Sequence, residues 1–244
     1  MKIGILAAGT TPEHLSSEFS TYADMFIQAL EVLHPEVSFE AYDVRDDEFP
    51  ESYVACDSWL ITGSKSAVYE NSPWMQGLQA LIRTIDEHKQ PLVGICFGHQ
   101  IIAQALGGQV DRYQGGWGVG IHRYEVIDQM AQAQLGKKNF AVCAFHQDQI
   151  VEKPSQAKVF ARSDFCEFAG HFYEDHILTV QGHPEFSRKF EGCLLDMYDN
   201  MLAPDILSQA RDSLYSKDLQ SSQMLAWIGA FLTQPRRSDE ILSH

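Results

Sequence analysis

Apolar residues in the first part of the chain fall alternately into short unbroken runs and into stripes at helical spacing. Ile3-Gly-Ile-Leu-Ala7 is a run closed by Gly9, Thr10, Thr11 and Pro12, which predicts a strand buried on both faces and then a loop. Thr21-Tyr-Ala-Asp24 reads as a capping box, and Tyr22, Met25, Phe26, Ala29, Leu30 and Leu33 share one helix face behind it. Val37 to Val44 predicts a second strand and Trp59-Leu-Ile-Thr62 a third, ending at Gly63-Ser64. Ser72-Pro73 opens another helix with Trp74, Leu78, Leu81, Ile82 and Ile85 on one side. Pro91-Leu-Val-Gly-Ile95 is a fourth strand, and it runs straight into a helical pattern from Cys96 to Leu106 that Gly107-Gly108 stops.

This alternation predicts βαβ units around a mostly parallel sheet. From about residue 109 the texture changes. Runs at 121 to 127, 139 to 145, 157 to 162 and 176 to 181 predict added antiparallel strands. Two helical stretches close the chain, one capped by Ser187 and carrying Phe190, Leu194, Met197, Tyr198 and Met201, the other marked by Met224, Leu225, Ile228, Phe231 and Leu232.

Composition narrows the function. With 18 Lys plus Arg against 33 Asp plus Glu the formal charge is −15, a field that repels nucleic acid and anionic membranes. The opening apolar run is too short for a signal-peptide core, and no later run reaches the length of a membrane span, so a cytoplasmic protein of one domain is expected. Five scattered cysteines without a C-x-x-C pair fit a reducing compartment and leave thiol chemistry open.

The strand-to-helix junction at Cys96 carries that chemistry. Gly94-Ile-Cys96-Phe-Gly98 has the form of a nucleophile elbow, in which small flanking residues let strand, turn and helix pack around a strained centre. Free N–H groups at a helix start favour a thiolate and can hold an oxyanion. The alternative for any cysteine is a small buried hydrophobe, the role expected of Cys143, Cys166 and Cys193. A thiolate needs a base, and His183 in His183-Pro184-Glu185 follows an apolar run at a second expected strand end. There the proline biases the backbone so that Glu185 can turn back on the imidazole. A lone His-Pro-Glu would be an ordinary turn.

Together, Pro91-Leu-Val-Gly-Ile-Cys96-Phe-Gly-His-Gln100 and Gly182-His183-Pro184-Glu185 resemble the class I glutamine amidotransferases over about residues 3 to 190. The resemblance implies a flavodoxin-like α/β fold and a Cys96-His183-Glu185 triad that cleaves the γ-amide of glutamine, or a γ-glutamyl amide, through a thioester on Cys96. It implies oxyanion N–H groups from Gly63 and Phe97. It also implies substrate contacts from Gln100, from Ser64 beside Gly63, and from His146, Gln147 and Asp148, with His146 alternatively a strand-end core histidine and His99 structural. Residues 1–190 are expected to form the amidotransferase domain and 191–244 a helical extension packed on it.

Three contexts stay open. The chain resembles the stand-alone, GMP-synthase-like branch, which includes γ-glutamyl peptidases, and the deciding feature is the width of the pocket beyond the γ-carbonyl. Gly115-Gly-Trp-Gly-Val-Gly120 either lines that side or forms a hairpin in which Trp117 caps the core. A third reading is a regulatory or ammonia-supplying subunit active only with a synthetase partner, with Trp227, Ile228 and Phe231 either its contact surface or a helix closing the sheet. No cofactor or metal is expected: the glycines miss the G-x-G-x-x-G and P-loop spacings, and Cys143-x-x-His146 is a single ligand-like pair.

Overall fold

The computed structural model of the protein describes residues 1–234; the last ten residues of the expected 191–244 extension lie outside the described residues. Strands β1 (Lys2–Leu6), β2 (Ser38–Tyr42), β3 (Ser58–Ile61), β4 (Leu92–Ile95) and β11 (Ile177–Val180) pair in parallel in the order β2-β1-β3-β4-β11. The sheet continues antiparallel through β10 (Gly170–Tyr173), β9 (Ala157–Arg162), β6 (Gly118–Val126) and β7 (Asn139–His146), giving nine strands. A separate ribbon pairs β5 (Gln109–Arg112) with β8 (Asp148–Glu152). The helices are α1 (Tyr22–Leu33), α2 (Pro73–Glu87), α3 (Phe97–Ala105), α4 (Gln129–Leu135), α5 (Arg188–Met197), α6 (Pro204–Ser216) and α7 (Ser221–Leu232).

The parallel part has the strand order of flavodoxin-like sheets, which reverses between β1 and β3 and opens a crevice at the carboxyl ends of the strands. One face is covered by α1 and α7, whose Phe26, Leu30, Met224, Trp227 and Ile228 pack with Ile3, Ile5, Val93 and Leu178. The other is covered by α2 and α3 through Leu78, Ile82, Ile101 and Ile102 on Leu6 and Ile61. A third cluster seats α5 and α6 against β6 and β7. Trp227, Ile228 and Phe231 are therefore core residues and no contact surface.

Caps formed as the pattern predicts: the Thr21 hydroxyl accepts the Asp24 N–H at 3.1 Å and Ser187 that of Phe190 at 3.1 Å. One expected strand has another role. The run at 176 to 181 is β11, a parallel neighbour of β4, so it belongs to the central sheet and is not an addition at its antiparallel end. Four consecutive buried residues, Ile177 to Val180, suit a strand covered on both faces.

Candidate active site

The elbow is built by close packing. Cys96 follows β4 and precedes α3 with φ 51° and ψ −101°, a conformation costly for a residue with a side chain. Neither flanking glycine has room for a Cβ: one at Gly94 would lie 2.7 Å from the Gly98 backbone, and one at Gly98 would lie 2.4 Å from the carbonyl oxygen of Ile61 in β3. Strand, turn and helix thus hold the strained residue between them, and the Cys96 side chain reaches the floor of a cleft of about 900 Å³.

His183 arrives from the neighbouring strand. β11 leads through Gln181 and Gly182, and the His183 N–H donates to the Cys143 carbonyl at 2.7 Å, which fixes the backbone against β7. The imidazole bonds through Nδ1 to Glu185 Oε1 at 2.7 Å, contacts the Cys96 thiol, and stacks on Phe186 with centroids 4.0 Å apart at 5°. Burial alone would lower the affinity of His183 for its proton. The charges of Glu185 and Cys96 and their hydrogen bonds win, and hold its pKa well above the ordinary value.

The remaining residues fall into two groups. The cleft brings together Cys96, His183, Ser64, Gln100, Gln147 and Asp148. Gln100 Nε2 donates to the Asp148 carbonyl at 2.8 Å and to Gln181 Oε1 at 3.2 Å, and Gln181 Nε2 donates to Cys96 Sγ at 3.6 Å. Gly63 lies directly behind the histidine: a Cβ there would sit 2.7 Å from His183 Cε1. Phe97 buries its ring beside Trp74, with its backbone at the first turn of α3 where N–H groups have no helical partner. His146 is not brought into the cleft. Its Nδ1 meets the Asp148 carbonyl at 3.2 Å, Nε2 is buried without a partner, and burial presses its pKa down to about 3. His99 bridges Thr179 and the Phe168 carbonyl inside the core, the structural role expected of it.

Sequence reasoning missed Gln181, Tyr22, Phe186 and Glu191. Tyr22 starts α1 and lines the cleft; burial and the nearby charges of Glu185 and Cys96 keep its phenol protonated. Glu191 on α5 is fully buried and accepts the Gly120 N–H at 2.8 Å through Oε1, while Oε2 has no partner. Desolvation pushes its pKa up to about 8. The one signal available was position, since Gln181 precedes the motif and Phe186 follows it.

A thiol on a strand-to-helix elbow, with a buried imidazole-carboxylate pair at the end of the next parallel strand, is an arrangement suited to cysteine-dependent acyl transfer on an α/β sheet. The family model for class-I glutamine amidotransferases matches residues 18–195, and the chain belongs to that family. It is 27% identical to gamma-glutamyl peptidase 2 of Arabidopsis thaliana over 92% of this chain and 93% of that protein. It is 31% identical to gamma-glutamyl peptidase 4 of the same plant over 70% of each. The crystal structure of a glutamine amidotransferase from Thermotoga maritima superposes with a TM-score of 0.76 at 18% identity, covering 95% of this chain and 99% of that one, which shows the shared fold.

Proposed function

We propose that the protein is a cysteine hydrolase of γ-glutamyl amides, with Cys96 as nucleophile, His183 as acid and base and Glu185 as the group that orients the imidazole. The observation that carries this is Cys96 in its strained elbow, in contact with His183, whose far nitrogen is 2.7 Å from a buried carboxylate. The thiolate attacks the γ-carbonyl carbon, and the oxyanion that forms takes hydrogen bonds from the N–H groups of Gly63 and Phe97. The imidazolium gives its proton to the departing nitrogen; the C–N bond breaks, amine leaves, and a γ-glutamyl thioester remains. Neutral His183 then takes a proton from water as the water attacks the thioester, releasing glutamate and restoring thiolate and imidazolium. Gln181 and Gln100 fasten this floor by their hydrogen bonds, and Ser64, Gln147 and Asp148 hold the amino-acid end of the glutamyl group.

An amine leaves by the same steps as ammonia, and likeness to peptidases along nearly the whole chain favours hydrolysis without a synthetase. Among the described residues no helix is long and apolar enough to cross a membrane. All five cysteines are free thiols, which supports a reducing, cytoplasmic setting. The test is glutamate release by the purified protein from glutamine and from γ-glutamyl dipeptides, with Cys96→Ala as the blank. Release by the native protein and none by a folded Cys96→Ala is expected; undiminished release by that variant overturns the assignment.

A further inference from the structure

The cleft above Cys96 is large, and its walls differ in chemistry. At about 900 Å³ it lies near the top of the roughly 300–1,000 Å³ range of pockets that enclose drug-sized ligands, far more than glutamine occupies. Lys65, Arg112, Glu70 and Asp148 are charged residues of its lining, set among serines and threonines. Another part of the lining is apolar, with Leu194 and Met197 beside a set of aromatic rings. Phe186 stacks on the catalytic imidazole and lies 5.4 Å from the ring of Tyr22. Trp117, Phe145 and Tyr198 form a triangle with centroids 5.7, 6.0 and 5.0 Å apart. All five line the cleft, and the triangle together with Tyr22 is half-buried. Tyr22, Trp117, Phe145 and Tyr198 all pack against the one core cluster that holds Phe186.

The chemistry of the step assigns these walls. A γ-glutamyl group carries an ammonium and a carboxylate, and only the charged lining can complement them. His183 must protonate the leaving nitrogen, so the substituent on that nitrogen emerges beside Phe186, the ring stacked on His183. Leu194, Met197 and Trp117 line the same cleft. Ammonia would use none of this apolar lining, and apolar side chains left partly in water at a reacting centre gain stability only when a ligand covers them.

We propose that the leaving amine of the physiological substrate carries an aromatic or bulky apolar side chain that packs on Trp117, Phe145 and Tyr198, with Trp117 the principal specificity residue. This deepens the hydrolase reading and rests on it. Of the two readings of the Gly-Trp stretch, Trp117 shares in both: its ring packs with Phe145 and Tyr198 against the core and still faces the cleft.

The experiment compares kcat/KM of the native protein for γ-glutamyl-phenylalanine, γ-glutamyl-glycine and glutamine, then repeats the comparison with Trp117→Ala and Trp117→Phe. The native protein is expected to favour the phenylalanine compound over the glycine compound by about tenfold or more, the scale of hydrophobic-pocket discrimination. Trp117→Ala should remove most of that preference and Trp117→Phe restore much of it. Equal kcat/KM for the two dipeptides in the native protein overturns the inference without any variant. So does an equal loss on both in Trp117→Ala, which would mark a structural role. Cleavage of glutamine alone, abolished by Cys96→Ala, overturns the inference and leaves the hydrolase standing. Cleavage of none of the three overturns both.

Discussion

His183 keeps a proton in a place where burial opposes it, because Glu185 and Cys96 face it from two sides. Replacing Glu185 by Gln removes one of those charges, so the imidazolium releases its proton at lower pH. We expect kcat/KM to fall by about 10²- to 10⁴-fold and its alkaline limb to move to lower pH; an unmoved limb in a full pH–rate profile would contradict the role given to Glu185. Glu191 makes the stability of the fold depend on pH. Its pKa is raised from 4.5 to about 8 in the folded protein, so the stability it lends is complete below the ordinary carboxyl range and is lost as pH rises to about 8. Glu191→Gln keeps an acceptor for the Gly120 N–H without the charge. Thermal unfolding should show this variant gaining on the native protein between about pH 5 and pH 8, whereas a constant difference in Tm would show that Glu191 does not titrate there.

At the scale of elements, the site depends on how closely α3 approaches β3. The G-x-C-x-G spacing made this legible, because a nucleophile between two glycines has few other physical reasons. Gly98→Ala places a Cβ 2.4 Å from the Ile61 carbonyl oxygen, and a backbone atom cannot yield as a side chain tip does. The expected cost is about 1–3 kcal/mol, read as a lowered denaturant midpoint, with a larger loss of activity as Cys96 moves off the line to His183; native stability and turnover would show the helix free to shift. Elements without such pattern escaped the sequence. β5 has a single buried residue, Val110, among exposed ones, and α6 begins at Pro204 with few buried positions, so neither carries a clear period. β10 is fully buried but spelled Gly-His-Phe-Tyr, where glycine and histidine break the apolar run.

For the whole molecule, α7 lies far along the chain from β1 yet shares its core cluster, with Trp227 packed edge-on to Phe160 and Phe172. We accordingly propose that the residues from 191 onward in the described chain fold as one unit with the rest. Denaturation should show a single cooperative transition, and Trp227→Ala should lower stability by about 3–5 kcal/mol with glutamate release intact in the folded fraction; two separate transitions would divide the chain instead. The parallel sheet, the elbow and the candidate pair of Cys96 and His183 were legible in the sequence alone, because short-range pattern dictates them: apolar runs, glycine at fixed offsets, proline after histidine. Tertiary structure alone decided the rest. β11 enters beside β4, which brings His183 to Cys96, and Glu191 lies sealed near His183 and Glu185. Phe145 on β7, Trp117 just before β6 and Tyr198 just after α5 also meet. These are contacts between residues far apart in the chain, set by which surfaces bury one another when the sheet is covered, and no local period along the chain encodes them.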